Sequence, residues 1–193
     1  MSTRSNIAIE LPDENPVVFS KGGKVKAIYV HSDGYPYGVG KILHDHYNTY
    51  DKAIELFNFG DASYLDDTID TCSFYGRDWK RKEDPAHTHR DEWMFMRSMG
   101  NDCMIEYLYL FKKGIWHISE NKSVPAPKDH WDGNKENLYY WTKFIPIYKH
   151  KDFKIKHDKH AEVKMISGLG KMLAKNFGQD NLIMQGGKVK KAN

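Results

Sequence analysis

Apolar and polar positions alternate from Asn6 to Leu11, as in a strand with one buried face. Two further strand-like runs, Val17–Ser20 and Lys24–His31, flank Lys21-Gly22-Gly23, and paired glycines between such runs predict a hairpin. The period then changes. Val39, Ile42, Leu43, His46 and Tyr47 recur at helical spacing, which predicts a helix over about 38–47. Thr49 is placed to cap a second helix carrying Ala53, Ile54, Leu56 and Phe57, closed by Gly60. Asp61–Asp70 reads as an acidic, turn-rich stretch, Ile69–Tyr75 as a strand, and Arg77–Asp91 as a loop too polar for a regular element.

Trp93–Met99 predicts a short helix, and Met104–Phe111 with Ile115–Ser119 a second hairpin across Lys112-Lys113-Gly114. Pro125–Asn137 reads as a loop. Tyr139–Tyr148 reads as a strand that Pro146 confines to a sheet edge. Asp158 can cap a helix from about Lys159 to Phe177, with Gly178 after it. A disordered basic tail is expected over 186–193. Hairpins first, then helices, more strands and a last helix predict an α+β fold. Its expected form is an antiparallel sheet with two or three packed helices, in a single domain over 1–185.

Composition bounds the class. The 193 residues are 40% hydrophobic and 28% charged, which excludes wholesale disorder. No apolar run approaches the ~20 residues of a membrane span, and the first residues lack the apolar stretch of a signal peptide. A soluble protein of a reducing cytoplasm, without membrane contact, is expected. The net charge of +3 is uneven: residues 149–193 carry eleven Lys against four Asp/Glu, and residues 1–148 eighteen Lys/Arg against twenty-two. A basic last quarter fits either an anionic partner or a solvated helix face.

The segment from Ile28 to Leu43 carries the most chemistry. A strand enters a Gly-rich turn and the turn enters a helix, whose first N–H groups and positive dipole end attract anions. Gly38 and Gly40 would let a ligand approach the backbone, and Lys41 adds a cation. Tyr35 and Tyr37 could stack a base, while His31 or Asp33 could bond its edge or a ribose. The spacing is not that of a phosphate-binding loop, because five residues separate Gly34 from Gly40 and Ile42 follows Lys41. A structural turn is the alternative. A second basic and aromatic cluster comprises Arg77, Trp79, Lys80, Arg81 and Lys82.

Ten His invite a metal, but no three ligands stand at recognisable spacing, and Cys72 and Cys103 are too few for a thiolate zinc site. No nucleophile elbow is present. Neither a metal nor a cofactor is expected.

Together, Ser5-Asn6-Ile7-Ala8-Ile9, His31-Ser32-Asp33-Gly34-Tyr35-Pro36, Gly38-Val39-Gly40-Lys41, His46-Tyr47, Leu56–Ser63 and Tyr75–Asp78 form a pattern. Over about residues 2–79 the chain resembles a family of small, uncharacterised proteins of tailed bacteriophages, marked by a His-x-Asp-Gly-Tyr-Pro loop. Ser32 stands where that family carries an aromatic or similar residue, and Tyr37 where a charged or small one is common. The resemblance implies no particular activity. It implies a phage accessory protein, made in the cytoplasm of the infected bacterium, that manipulates or blocks a host or defence system.

The leading expectation is a non-catalytic protein that binds, and sequesters, a nucleotide or nucleic acid. Its ligand residues would be His31, Asp33, Tyr35, Tyr37, Gly38, Gly40, Lys41, His46, Arg77 and Trp79, gathered on one shared pocket. The alternatives are a protein-binding inhibitor of a host enzyme, and a hydrolase or nuclease using His31, Asp33 and His46. A second copy of the chain is a further candidate partner.

Overall fold

Strand β1, Arg4–Glu10, carries the burial pattern that its alternation implies, and Ile7, Ala8 and Ile9 are fully buried. It pairs antiparallel with β2, Val25–Val30, through Ser5↔Val30 to Glu10↔Val25. The computed structural model describes residues 2–12, 23–80, 85–99, 104–125, 138–153, 182–185 and 188–191. The expected strand at Val17–Ser20, the loop core at 126–137 and the helix over Lys159–Phe177 lie outside the described residues.

After β2 come helices α1, Val39–His46, and α2, Tyr50–Leu56. Strand β3, Ala62–Tyr64, then pairs parallel with β2, which completes a β–helix–helix–β crossover. A two-residue strand β4, Ser73–Phe74, runs directly into one helical turn, α3, Tyr75–Asp78. Strand β5, His87–His89, joins β2 on the same edge as β3, and α4 spans Glu92–Met99. Strands β6, Ile105–Lys112, and β7, Ile115–Val124, form the hairpin that the apolar runs predict. Strand β8, Leu138–Trp141, and the short β9, Ile145–Pro146, both pair with β7.

The sheet order is β4-β3-β2-β1-β6-β7-β8, so the first strand lies mid-sheet. The fold is α+β and the sheet is mostly antiparallel, but β1–β6 and β2–β3 are parallel. The helical crossover and the long return from β2 to β6 make those two pairs possible. One face of the sheet packs Ile7, Ile28, Tyr109 and Phe111 against Val39, Leu43, Leu56 and Phe57 of the α1–α2 layer. The other face packs Ala8, Leu108 and Leu110 against Phe95 of α4.

Several expectations change. Ile69–Tyr75 is mostly turn, and only Ser73 and Phe74 extend. The Arg77–Asp91 loop contains the end of α3 and the strand β5, while Asp61–Asp70 contains β3. Tyr139–Tyr148 divides into β8, β9 and a 3-10 turn at Ile147–Lys149. By its contacts the chain forms two compact units, Met1–Phe153 and Lys154–Asn193. In the second unit, β10, Leu182–Gln185, pairs antiparallel with β11, Lys188–Lys191. Within the stretch 186–193, residues 188–191 form β11.

Candidate functional site

The turn between β2 and α1 is built from its own backbone. Asp33 adopts φ 56°, which aims its carbonyl at the helix start. Asp33 O accepts the Val39 N–H at 2.8 Å, and Tyr35 O accepts the N–H groups of Gly38 at 2.9 Å and Gly40 at 3.5 Å. These are the donors that an anion at the helix N-terminus would need. They are already taken.

The glycines serve packing. A Cβ on Gly38 would collide with Asp33 O, and one on Gly34 would lie 2.8 Å from Ser5 Cβ. A Cβ on Gly40 would lie 2.8 Å from Ile147 Cδ1 and 3.2 Å from the Tyr109 ring, so its absence lets α1 approach the sheet. The buried Tyr109 hydroxyl donates to Gly34 O at 2.8 Å and ties the turn to β6.

The other expected ligand residues have partners of their own. His31 Nδ1 lies 2.9 Å from the Tyr29 hydroxyl, and its backbone N–H donates to Ala62 O. Lys41 pairs with Asp45 one turn along α1. Burial alone would raise the Asp45 carboxyl, but hydrogen bonds from Lys41 and His44 outweigh it and hold the carboxyl below its ordinary value. His46 Nε2 lies 3.1 Å from Asp67 Oδ1. Tyr35 is exposed and Tyr37 half-buried. Trp79 is exposed; its Nε1 donates to Ser73 Oγ at 3.2 Å and its ring meets Tyr75 edge-on.

Arg77 is the most heavily bonded of the set. Nε donates to Asp78 Oδ1 at 2.7 Å, Nη2 to Asp78 Oδ2 at 2.9 Å, Nη1 to Ile69 O at 2.9 Å, and Nη2 also to Cys72 O. That uses four of the five guanidinium N–H groups. The plane also lies over the rings of Phe59, 5.3 Å, and Phe74, 5.2 Å. The guanidinium beside Asp78, with the Phe74 N–H after it, holds that carboxyl below its ordinary value. Cys72 is buried, and burial pushes its thiol up, so it is a poor nucleophile.

Arg77 lines a cleft of about 560 Å³, but no residue of His31–Lys41 joins it there. Its walls include Lys26, Phe59, Gly60, Gly76 and Ala86, and no carboxylate is among its described lining. Lys26 escaped notice in the sequence because it sits inside a strand, where a lone lysine reads as a solvated position. Only the fold brings β2 beside α3. Among the described residues no three His, Cys, Asp or Glu gather closely enough to hold a metal ion.

No family model matches the chain, and it matches neither a curated protein nor a solved structure. Among the described residues no helix is long and apolar enough to cross a membrane.

Proposed function

We propose that this chain is a non-catalytic binding protein that takes an anionic ligand of nucleotide size in the cleft between β2 and α3. The cleft carries that reading: its volume lies within the range of small-molecule sites, and its described lining holds two cations and no carboxylate. Phe59 offers an apolar wall already in contact with the Arg77 guanidinium. Arg77 is held rigid by Asp78 and two carbonyls, so it shapes the wall. Lys26, which pairs with no carboxylate among the described residues, supplies the attraction. The resemblance of residues 2–79 to phage accessory proteins supports the setting: an infected bacterial cytoplasm, where capture of a host or defence nucleotide would be the use.

Calorimetric titration with nucleoside mono-, di- and triphosphates and cyclic dinucleotides tests this. At least one should bind, more weakly as salt rises. Lys26→Ala should weaken that ligand by roughly tenfold, the loss of one charge-assisted hydrogen bond. No binding by any of them at low salt overturns the proposal.

A second reading, inhibition of a host protein, is favoured by Trp93. It is 56% exposed, and the Arg97 guanidinium lies 5.2 Å over its ring. Trp and Arg are the residues that dominate protein interfaces. Trp93→Ala that keeps nucleotide binding but loses the biological effect would favour this second reading.

A further inference from the structure

At the far edge of the sheet, the end of β7 and all of β8 form a two-stranded ribbon. The pairs are Asn121↔Trp141, Lys122↔Tyr140, Ser123↔Tyr139 and Val124↔Leu138. Its root is fixed by Thr142, whose N–H donates to Glu120 O at 3.1 Å, whose carbonyl accepts Ser119 Oγ at 2.6 Å and whose hydroxyl accepts the Glu120 N–H at 2.9 Å. Tyr139 is 64% exposed and Tyr140 48%, which is unusual for adjacent aromatic residues. Alternation along the strand puts the two rings on opposite faces of the ribbon.

The charge around these rings is lysine-rich, although Glu120 and Asp152 both act on Lys122. Segments 121–124 and 138–149 contain Lys122, Lys143 and Lys149 and no Asp or Glu. The nearest acid on β7, Glu120, is taken up by Lys122 at 2.8 Å, with His150 Nε2 at 3.6 Å. Lys122 stands directly across from Tyr140. Lys143 and Lys149 are exposed, and Lys149 lies 6.0 Å from the Tyr148 ring.

We propose that the β7–β8 ribbon binds single-stranded nucleic acid, with bases stacked on Tyr139 and Tyr140 and phosphates facing Lys122, Lys143 and Lys149. Stacking on exposed rings beside cations is how sequence-tolerant single-strand binders work. A duplex hides its base faces and would leave the rings unused. The site is separate from the β2–α3 cleft and does not depend on it.

The test is fluorescence polarisation of the full chain with a labelled twelve-nucleotide oligo(dT), at several salt concentrations. Binding should weaken with salt with a logarithmic slope of about −2, for three phosphate contacts. Tyr139→Ala with Tyr140→Ala should weaken it tenfold or more, while Tyr139→Phe with Tyr140→Phe should keep it, because stacking needs the ring and not the hydroxyl. Lys143→Ala should make the slope shallower by about 0.7. Lys26→Ala should change nothing here, which separates this site from the nucleotide cleft. These side chains are exposed, and an unchanged melting temperature confirms that the variants fold. No binding at low salt, or equal binding by the double alanine variant, overturns the proposal. So does light scattering that finds a dimer lost in that variant, with no oligonucleotide bound to either protein.

Discussion

At the scale of single residues, Arg77 makes the most bonds of the candidate ligand residues. It links Ile69 O, Cys72 O and Asp78, and so clamps the turn before β4 onto α3. A guanidinium can hold three partners at fixed angles, and an ammonium cannot. Arg77→Ala should therefore cost about 2 kcal/mol of stability, the scale of one charge-assisted bond lost with its neighbours left unpaired. Thermal unfolding should start several degrees lower, and Arg77→Lys should not restore it. Asp91 plays a similar part at the start of α4, where its Oδ1 accepts the Met94 N–H at 2.8 Å. Gly38 and Gly40 matter through the atoms they lack: the turn's own carbonyl at one, and Tyr109 with Ile147 at the other.

At the scale of elements, the β6–β7 hairpin turns through Lys113, φ 52°, and Gly114, φ 77°. Two consecutive positive φ values are those of the tight turn that matches strand twist. A Cβ on Gly114 would meet nothing within 4 Å, so Gly114→Ala isolates backbone strain from packing. It should cost about 1 kcal/mol in denaturant unfolding, whereas Lys113→Asn should be neutral or slightly stabilising. This hairpin was legible in the sequence, as were α1, α2 and α4, because each is specified by residues close together in the chain. Strands β3 and β5 were not. His87-Thr88-His89 has no strand pattern, and it extends only because β2 offers it an open edge. The same reason hid the cleft. Arg77 was visible as a cation, but the carbonyls that hold it come from a turn, and Lys26 comes from a strand some fifty residues earlier. At His31–Lys41 the glycine pattern did not reveal that the carbonyls of Asp33 and Tyr35 fold back onto the helix start.

At the scale of the whole molecule, buried and bonded titratable groups set a pH dependence. Burial pulls His89 below its ordinary 6.5, and burial followed by the Lys112 charge does the same to His117. Unfolding lets both take up protons that the folded state refuses, so stability falls as pH drops through about 6.5. Asp78, held down first by Arg77, and Asp91, held down first by the Met94 N–H, are depressed in the folded state. Their contribution is present above the ordinary carboxylate range and is lost as pH falls through it. Denaturant midpoints measured from pH 8 to pH 3 should show a plateau, a first decline near 6.5 that His89→Gln reduces, and a second below about 4 that Asp91→Asn reduces. The position of β1 has a consequence of another kind. Arg4 pairs with Ile105 and Ile9 with Phe111, so the centre of the sheet joins segments about a hundred residues apart. As the chain leaves the ribosome, its first strand can meet β2 early, but its other edge stays open until β6 emerges. At synthesis rates of about 5–20 residues per second, that is an exposure of several seconds. The sheet is thus completed late and from the middle, and whatever shields the bare edge of β1 during those seconds, chaperone or transient self-contact, decides how much of the chain reaches the native state.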